Sequence, residues 1–184
     1  MKRRQLALAV ASGVAAVVLV ACAASPERQV PPLALAGSVD LPRFMGDWYV
    51  IAAIPTAFEN DAHNPMERYR LEPDGTVATT FSFNKGAPDG PRSQYDSRGF
   101  VVAGSANAIW EQQYVWPFRA DYRISYVADD YSAVIVTRLK RDYVWIMARQ
   151  RSIPEAELRR LADFVAAQGY DPNLLKRMPH GAGG

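Results

Sequence analysis

The chain of 184 residues has a single cysteine, Cys22, and only two histidines, His63 and His180. One thiol excludes an internal disulfide and a four-cysteine zinc site. The histidines, one in a loop segment and one near the C-terminus, lack partners at metal-ligand spacing, and surface positions are expected for both. An excess of charge of one sign is also missing. There are 21 Lys and Arg against 19 Asp and Glu, and setting aside Lys2, Arg3 and Arg4 of the N-terminal segment leaves 18 against 19, a net charge of −1. Such a balance offers no basic stripe to a phosphate backbone, so nucleic acid is not an expected partner. No Ser-His-Asp set, glycine-rich phosphate loop or paired-cysteine motif occurs. Asp129, Asp130 and Asp142 fall near expected turns, where carboxylates bond backbone amides. No catalytic residue, metal site or cofactor is therefore assigned, and an enzyme is not the expected class. Hydrophobic residues at 49% and charged residues at 22% are those of an ordinary globular chain, long enough for one domain with a tail.

Long apolar runs are absent apart from one at the start. Three positive charges in residues 1–5 precede the 16 apolar and small residues of 6–21, the order of an export signal and a run short for a membrane span, which needs about 20 residues. The run closes with Leu19-Val20-Ala21-Cys22. This tetrapeptide resembles the lipobox of bacterial lipoproteins, which implies cleavage before Cys22 and acylation of that residue; a plain signal peptide and a short anchor helix are the alternatives. Several acyl chains would hold the mature protein stably on a membrane. Ala23 in place of an aspartate points to the outer membrane, facing the periplasm. Residues 22–40 carry Pro26, Pro31, Pro32 and Gly37 without periodicity and read as the lipidated cysteine and a flexible linker.

From residue 41 the chain reads as short strands separated by turn signals. Segments 48–52, 68–71, 76–83, 98–103, 108–116, 121–127, 131–139 and 143–149 are rich in aromatic and β-branched residues. Asp74-Gly75 favours a hairpin, and four Gly or Pro residues within 86–91 require a loop. Eight consecutive strands with short connections predict an all-β, antiparallel up-and-down barrel just wide enough for one small ligand. The period then changes. Ser152 and Glu155 are spaced as a capping box, Leu158, Leu161, Ala162 and Val165 recur at helical spacing, and Gly169 ends the run. One amphipathic helix is thus expected against the outside of the barrel. A domain over 41–175 and a disordered tail over 176–184 complete this reading.

Gly46-Asp47-Trp48-Tyr49 resembles the G-x-W signature of lipocalins, and the segment from Arg141 to Arg149 resembles their last-strand motif ending in arginine. Asp129-Asp130-Tyr131 stands where the family has its middle motif, with Asp129 in place of the usual threonine. Phe83-Asn84-Lys85-Gly86 and Pro117-Phe118 bring the match nearest to bacterial outer-membrane lipocalins, of the apolipoprotein D-like kind. The resemblance implies that Gly46, Trp48, Tyr131 and Arg149 are structural, with Arg149 covering Trp48 at the closed end of the barrel.

Function then depends on the interior. Alternation puts Trp110, Gln112, Tyr114 and Trp116 on one face of a strand and Tyr122, Ile124 and Tyr126 on one face of the next. Tyr69, Phe81 and Phe83 are expected to complete the wall. Such a lining suits an acyl chain with a polar head, although the same rings can instead fill the barrel. Arg68, Arg70, Arg119 and Arg123 read as solvated exterior. The expected function is a membrane-anchored carrier of fatty acids, lysophospholipids or similar amphiphiles in the cell envelope. A cavity-based enzyme on lipid-like substrates and an anchored protein-interaction module remain as alternatives. The partners this reading admits are a small hydrophobic ligand, the membrane through N-terminal acyl chains and, optionally, a second copy in a homodimer.

Overall fold

A computed structural model describes residues 31–181. The export signal, Cys22 and residues 182–184 lie outside the described residues. Eight strands follow one another as expected: β1 (Gly46–Ile54), β2 (Ala62–Leu71), β3 (Val77–Lys85), β4 (Arg92–Val101), β5 (Ile109–Val115), β6 (Phe118–Val127), β7 (Ala133–Thr137) and β8 (Val144–Ala148). Each pairs antiparallel with the next, and β1 pairs with both β2 and β8, which closes the barrel. Up-and-down connection puts the 55–61, 86–91, 116–117 and 138–143 loops at one end, the mouth, and the other turns at the opposite end.

Two apolar clusters share the wall strands by parity. Trp48, Val50, Tyr69, Trp110, Ile124, Val134, Val136 and Met147 belong to the inner cluster. Ile51, Ala133, Ile135, Val144 and Ile146 face the other way, beneath helix α2 (Glu155–Ala167), which contributes buried Leu158, Leu161 and Val165. The helix starts differently from the sequence expectation. Pro154 is its N-cap and Ser152 makes no cap bond; Glu155 and Glu157 in the first turn instead place negative charge at the positive end of the helix. Gly169, with φ of +88°, takes the left-handed conformation that ends it.

The terminal segments are more ordered than their composition implies. Within the linker expected to reach residue 40, the amide of Ala36 bonds the carbonyl of Ile124, and Val39 is buried. The C-terminal segment, expected to be disordered from residue 176, supplies a short strand, β9 (Lys176–Arg177), paired with Ala52 and Ala53 of β1. Met178 donates its amide to Ile51, and Asn64 of β2 bonds Pro179 and Gly181. Strands β1 and β2 pair only over Gly46–Tyr49, so the tail satisfies the backbone groups that their divergence leaves open.

The closed end is built around one cation. The Arg149 guanidinium lies 3.8 Å over the Trp48 ring, and its nitrogens donate to the carbonyls of Asp47 (2.8 Å), Arg43 (2.7 Å) and Phe44 (3.1 Å). The Trp48 indole donates to Phe44 O at 2.8 Å, which ties down helix α1 (Leu41–Phe44) across the base. Gly46 has φ of +95°, and a Cβ there would stand 3.4 Å from Arg149 Nη1. Tyr131, at φ of +60°, turns its hydroxyl to the amide of Asp40 and its ring beneath Arg43. In the middle motif it is Asp130, rather than Asp129, that accepts from the Ser132 amide and hydroxyl and sets the turn. Trp48→Ala is expected to cost about 3–5 kcal/mol. Chemical denaturation of the single and double variants with Arg149→Ala should show a double cost about 0.5–3 kcal/mol below the sum, because the side chains share one contact.

Candidate functional site

The interior is layered from the base upward. Phe44, Trp48, Tyr69, Trp110 and Tyr122 form an aromatic floor: Phe44 lies 5.2–5.4 Å from Trp48, Tyr69 and Trp110, and Trp110 stacks on Tyr122 at 5.3 Å. The Tyr69 and Tyr122 hydroxyls share a 2.5 Å hydrogen bond, and the Trp110 indole donates to Asn107 O. Trp110 and Ile124 retain no accessible surface. Both point inward, as parity requires, but as packed floor rather than as an open wall. The lower half of the barrel is therefore filled by its own rings.

Above the floor runs a row of polar groups. Glu67 (β2), Thr79 (β3), Ser97 (β4) and Gln112 (β5) hold inward positions on four adjacent strands. Gln112 Nε2 donates to Ser97 Oγ at 2.7 Å, and Gln112 Oε1 stands 2.7 Å from where a Cβ on Gly99 would be, so a side chain at Gly99 would displace the Gln112 amide. Among the described residues, Glu67 Oε2, Thr79 Oγ1 and Gln112 Oε1 have no hydrogen-bond partner. Glu67 is only 8% exposed, and its burial, with a smaller contribution from the Glu59 carboxylate, pushes its pKa up to about 8. It is consequently a neutral acid at neutral pH, able to donate as well as accept.

The upper half is lined by rings, of which Phe81, Tyr95 and Tyr114 keep accessible surface while Phe83 is buried behind them. Phe81 and Phe83 lie 5.4 Å apart, Phe83 stacks on Tyr95 at 6.2 Å, and Tyr95 meets Phe58 of the 55–61 loop at 6.3 Å. Tyr114 is 55% exposed, yet burial among the surrounding wall and the nearby Glu67 and Glu59 carboxylates raise its pKa. A phenol both exposed and surrounded by protein stands in the lumen beneath an open mouth. Glu59 reaches in from its loop to accept from the Trp145 indole (3.1 Å) and the Thr56 amide (2.6 Å). Arg138, on the inward parity of β7, faces Asp142 at 3.4 Å and lies over the Tyr143 ring.

Tyr126 departs from the sequence expectation. Register shifts between Ile124 and Tyr126, which pair with the consecutive residues Val136 and Ile135. This bulge puts Ser125 and Tyr126 on the same, outer face. Ser125 bonds Thr137 at 2.6 Å, while Tyr126 packs 5.7 Å from Phe164 of α2 and its hydroxyl accepts from Arg160. Tyr126 is therefore part of the helix interface, not of the lumen. A second shift between Gln112 and Val115 leaves Trp116 at the hairpin tip, 80% exposed. His180, expected at the surface, instead bonds Val50 O from a partly buried position, and burial lowers its pKa.

Arg68, Arg70, Arg119 and Arg123 pair with Asp47, Glu72, Glu111 and Asp121 on the outer wall. Among the described residues, Glu59, Glu67 and Arg138 are ionisable groups that reach the interior, and none of them belongs to the aromatic wall expected from sequence. For Glu67 and Arg138 a signal exists, since Glu67 alternates in phase with Tyr69 and Arg138 with Val134 and Val136; for Glu59, in a loop, parity gives none.

A blind antiparallel barrel with an external helix and an arginine-covered tryptophan at its base defines a ligand-binding class of protein, and the comparisons specify it. The lipocalin-like domain family matches residues 39–180, and the chain belongs to this family. Outer membrane lipoprotein Blc of Escherichia coli (strain K12) is 27% identical over 165 residues, covering 88% of this chain and 90% of that protein. Temperature-induced lipocalin-1 of Arabidopsis thaliana is 26% identical over 150 residues, covering 77% and 79%. Among solved structures, insecticyanin from the tobacco hornworm Manduca sexta shares the fold with a TM-score of 0.64 at 12% identity, over 82% of this chain and 86% of that one. Family and fold support the binding of a small hydrophobic ligand, and members are generally binding and transport proteins.

The raised acid in the lumen links stability to pH. Glu67 has its ordinary value of 4.5 in the unfolded chain and about 8 in the folded one, so its stabilising contribution is complete below pH 4.5 and drains away as pH rises to about 8. Glu67→Gln is expected to be the more stable protein at pH 7, by on the order of 3 kcal/mol, with the difference vanishing near pH 4. Denaturant midpoints of both proteins across this window check it; parallel curves would show that Glu67 ionises freely.

Proposed function

We propose that the protein is a lipid-anchored carrier that holds one single-chain amphiphile, a fatty acid or lysophospholipid, and moves or stores it in the cell envelope. The observation that supports this most is the division of the interior. Packed rings close the base, while Phe81, Tyr95 and Tyr114 keep surface free beneath the mouth. An alkyl chain fits the apolar upper wall, and its head finds Arg138 at the rim or the polar groups of the row below. Acylation at Cys22 supplies the anchor, and the relationship to an outer membrane lipoprotein favours the outer membrane, periplasmic side.

The mature protein incubated with an envelope lipid extract and analysed by native mass spectrometry is expected to retain one chemically unchanged lipid per chain. Converted lipid would mark an enzyme, and no retained lipid would contradict the proposal. Affinity for a fatty-acid series should rise by up to about 0.8 kcal/mol per methylene and then level off. Tyr114→Glu, at an exposed lumen position, should weaken binding at least roughly tenfold while leaving the unfolding midpoint nearly unchanged.

A further inference from the structure

Exposed apolar side chains are concentrated at one end of the barrel. Eleven large hydrophobic residues of the described chain stand out from the surface, and seven belong to the mouth. Besides Tyr114 these are Phe58, Tyr95, Val115, Trp116, Phe118 and Leu139, carried by the 55–61 loop, the upper part of β4, the β5–β6 hairpin and the 138–143 loop. Phe58, Phe118 and Trp116 are 74–80% exposed, whereas the closed end has only Leu71 and Val102, both just over a third exposed. Single exposed hydrophobes are ordinary, but a crown of them around one opening marks a surface that meets something apolar.

The path of the chain identifies the occupant. Arg141 of the 138–143 loop donates to the Pro31 carbonyl, so the described chain begins beside the mouth. Residues 23–30 separate Pro31 from Cys22, a fully extended reach of about 30 Å. Strands of nine or ten residues make the wall itself about 30 Å long. A membrane holding Cys22 is thus within easy reach of the mouth, and would meet the closed end only with the tether stretched along the entire barrel. A second copy seated on the crown would shut the lumen from its ligand.

We propose that the mouth faces the bilayer to which Cys22 tethers the chain, with Phe58, Trp116 and Phe118 seated in the lipid interface, so that an amphiphile passes between bilayer and lumen without crossing water. This rests on the lipid-anchored reading above. Indole and phenyl rings prefer the headgroup level of a membrane, and a crown acting through apolar area rather than charge attaches with little dependence on salt.

The chain carries its own reporter, since Trp48, Trp110 and Trp145 are buried and Trp116 is not. The acylated mature protein in vesicles of chain-brominated phosphatidylethanolamine and phosphatidylglycerol is expected to lose the Trp116 part of its fluorescence, and Trp116→Phe should abolish the quenching. The mature chain without residues 1–21 and with Cys22→Ser, hence unacylated, is expected to partition onto the same unbrominated vesicles in low and high salt. Adding Phe58→Ser, Trp116→Ser and Phe118→Ser should reduce that partitioning at least roughly tenfold, with an unchanged unfolding midpoint showing that the barrel is intact. Unquenched Trp116 in a chain shown by mass spectrometry to be acylated would overturn the membrane-facing mouth and leave the anchor standing. Partitioning and quenching of a chain that proves unacylated would keep the crown and remove the anchor. A dimer that the triple substitution disperses, without vesicle partitioning, would make the crown an interface between copies and overturn the proposal.

Discussion

The placement of the Arg149 guanidinium over Trp48 governs the rest of the molecule. It joins the last strand to the first at the base and satisfies three carbonyls of α1 and β1. A cation between an indole face and a set of carbonyls is held by attraction to the ring and by charge-assisted hydrogen bonds together. With α1 locked across the bottom, Phe44 enters the barrel and completes the aromatic floor. The barrel is thereby blind, and everything that enters it uses the other end.

A blind barrel has a gradient of environments along its axis. At the floor, rings with no accessible surface exclude solvent. Directly above, Glu67, Thr79 and Gln112 are buried without full partners, an arrangement that costs stability and that a packed core avoids. Higher still, Tyr114 and Tyr95 are exposed within the lumen. The polar row marks the boundary between the part of the interior that serves the fold and the part available to a ligand. The neutral state of Glu67 follows from that position, because a carboxylate at the edge of a packed floor loses its hydration before it gains a partner.

The eight strands, their order, the external helix and the closing pair were legible because each is written in local pattern: aromatic and β-branched runs, Gly or Pro turns, and motifs at fixed ends. Strand β4 begins at Arg92, six residues before its apolar segment, since Arg92–Ser97 is polar apart from Tyr95, and one aromatic in a partly solvated run makes no strand pattern. Tyr126 escapes its expected face because parity holds only while the ladder is regular, and the bulge at Ser125 is a pairing event between β6 and β7 that β6 alone does not encode. The order of the tail depends on β1 and β2 diverging above Tyr49, a three-dimensional fact with no sequence counterpart at residues 176–181. For Trp110 parity gives a direction and no depth, and depth separates floor from wall.

The central claim is that the ligand occupies the upper half of the lumen above an unmoved floor. Crystals of the protein with a chain-brominated fatty acid test it most directly, since anomalous scattering locates the bromine without reference to the rest of the density. The expected result is one site per barrel, among Phe81, Tyr95 and Tyr114, with Trp110 and Tyr122 still stacked. Bromine in the outer cleft between α2 and β1, lined by Ala52, Leu158, Ala162 and Leu175, or a floor opened to admit the chain, would contradict it.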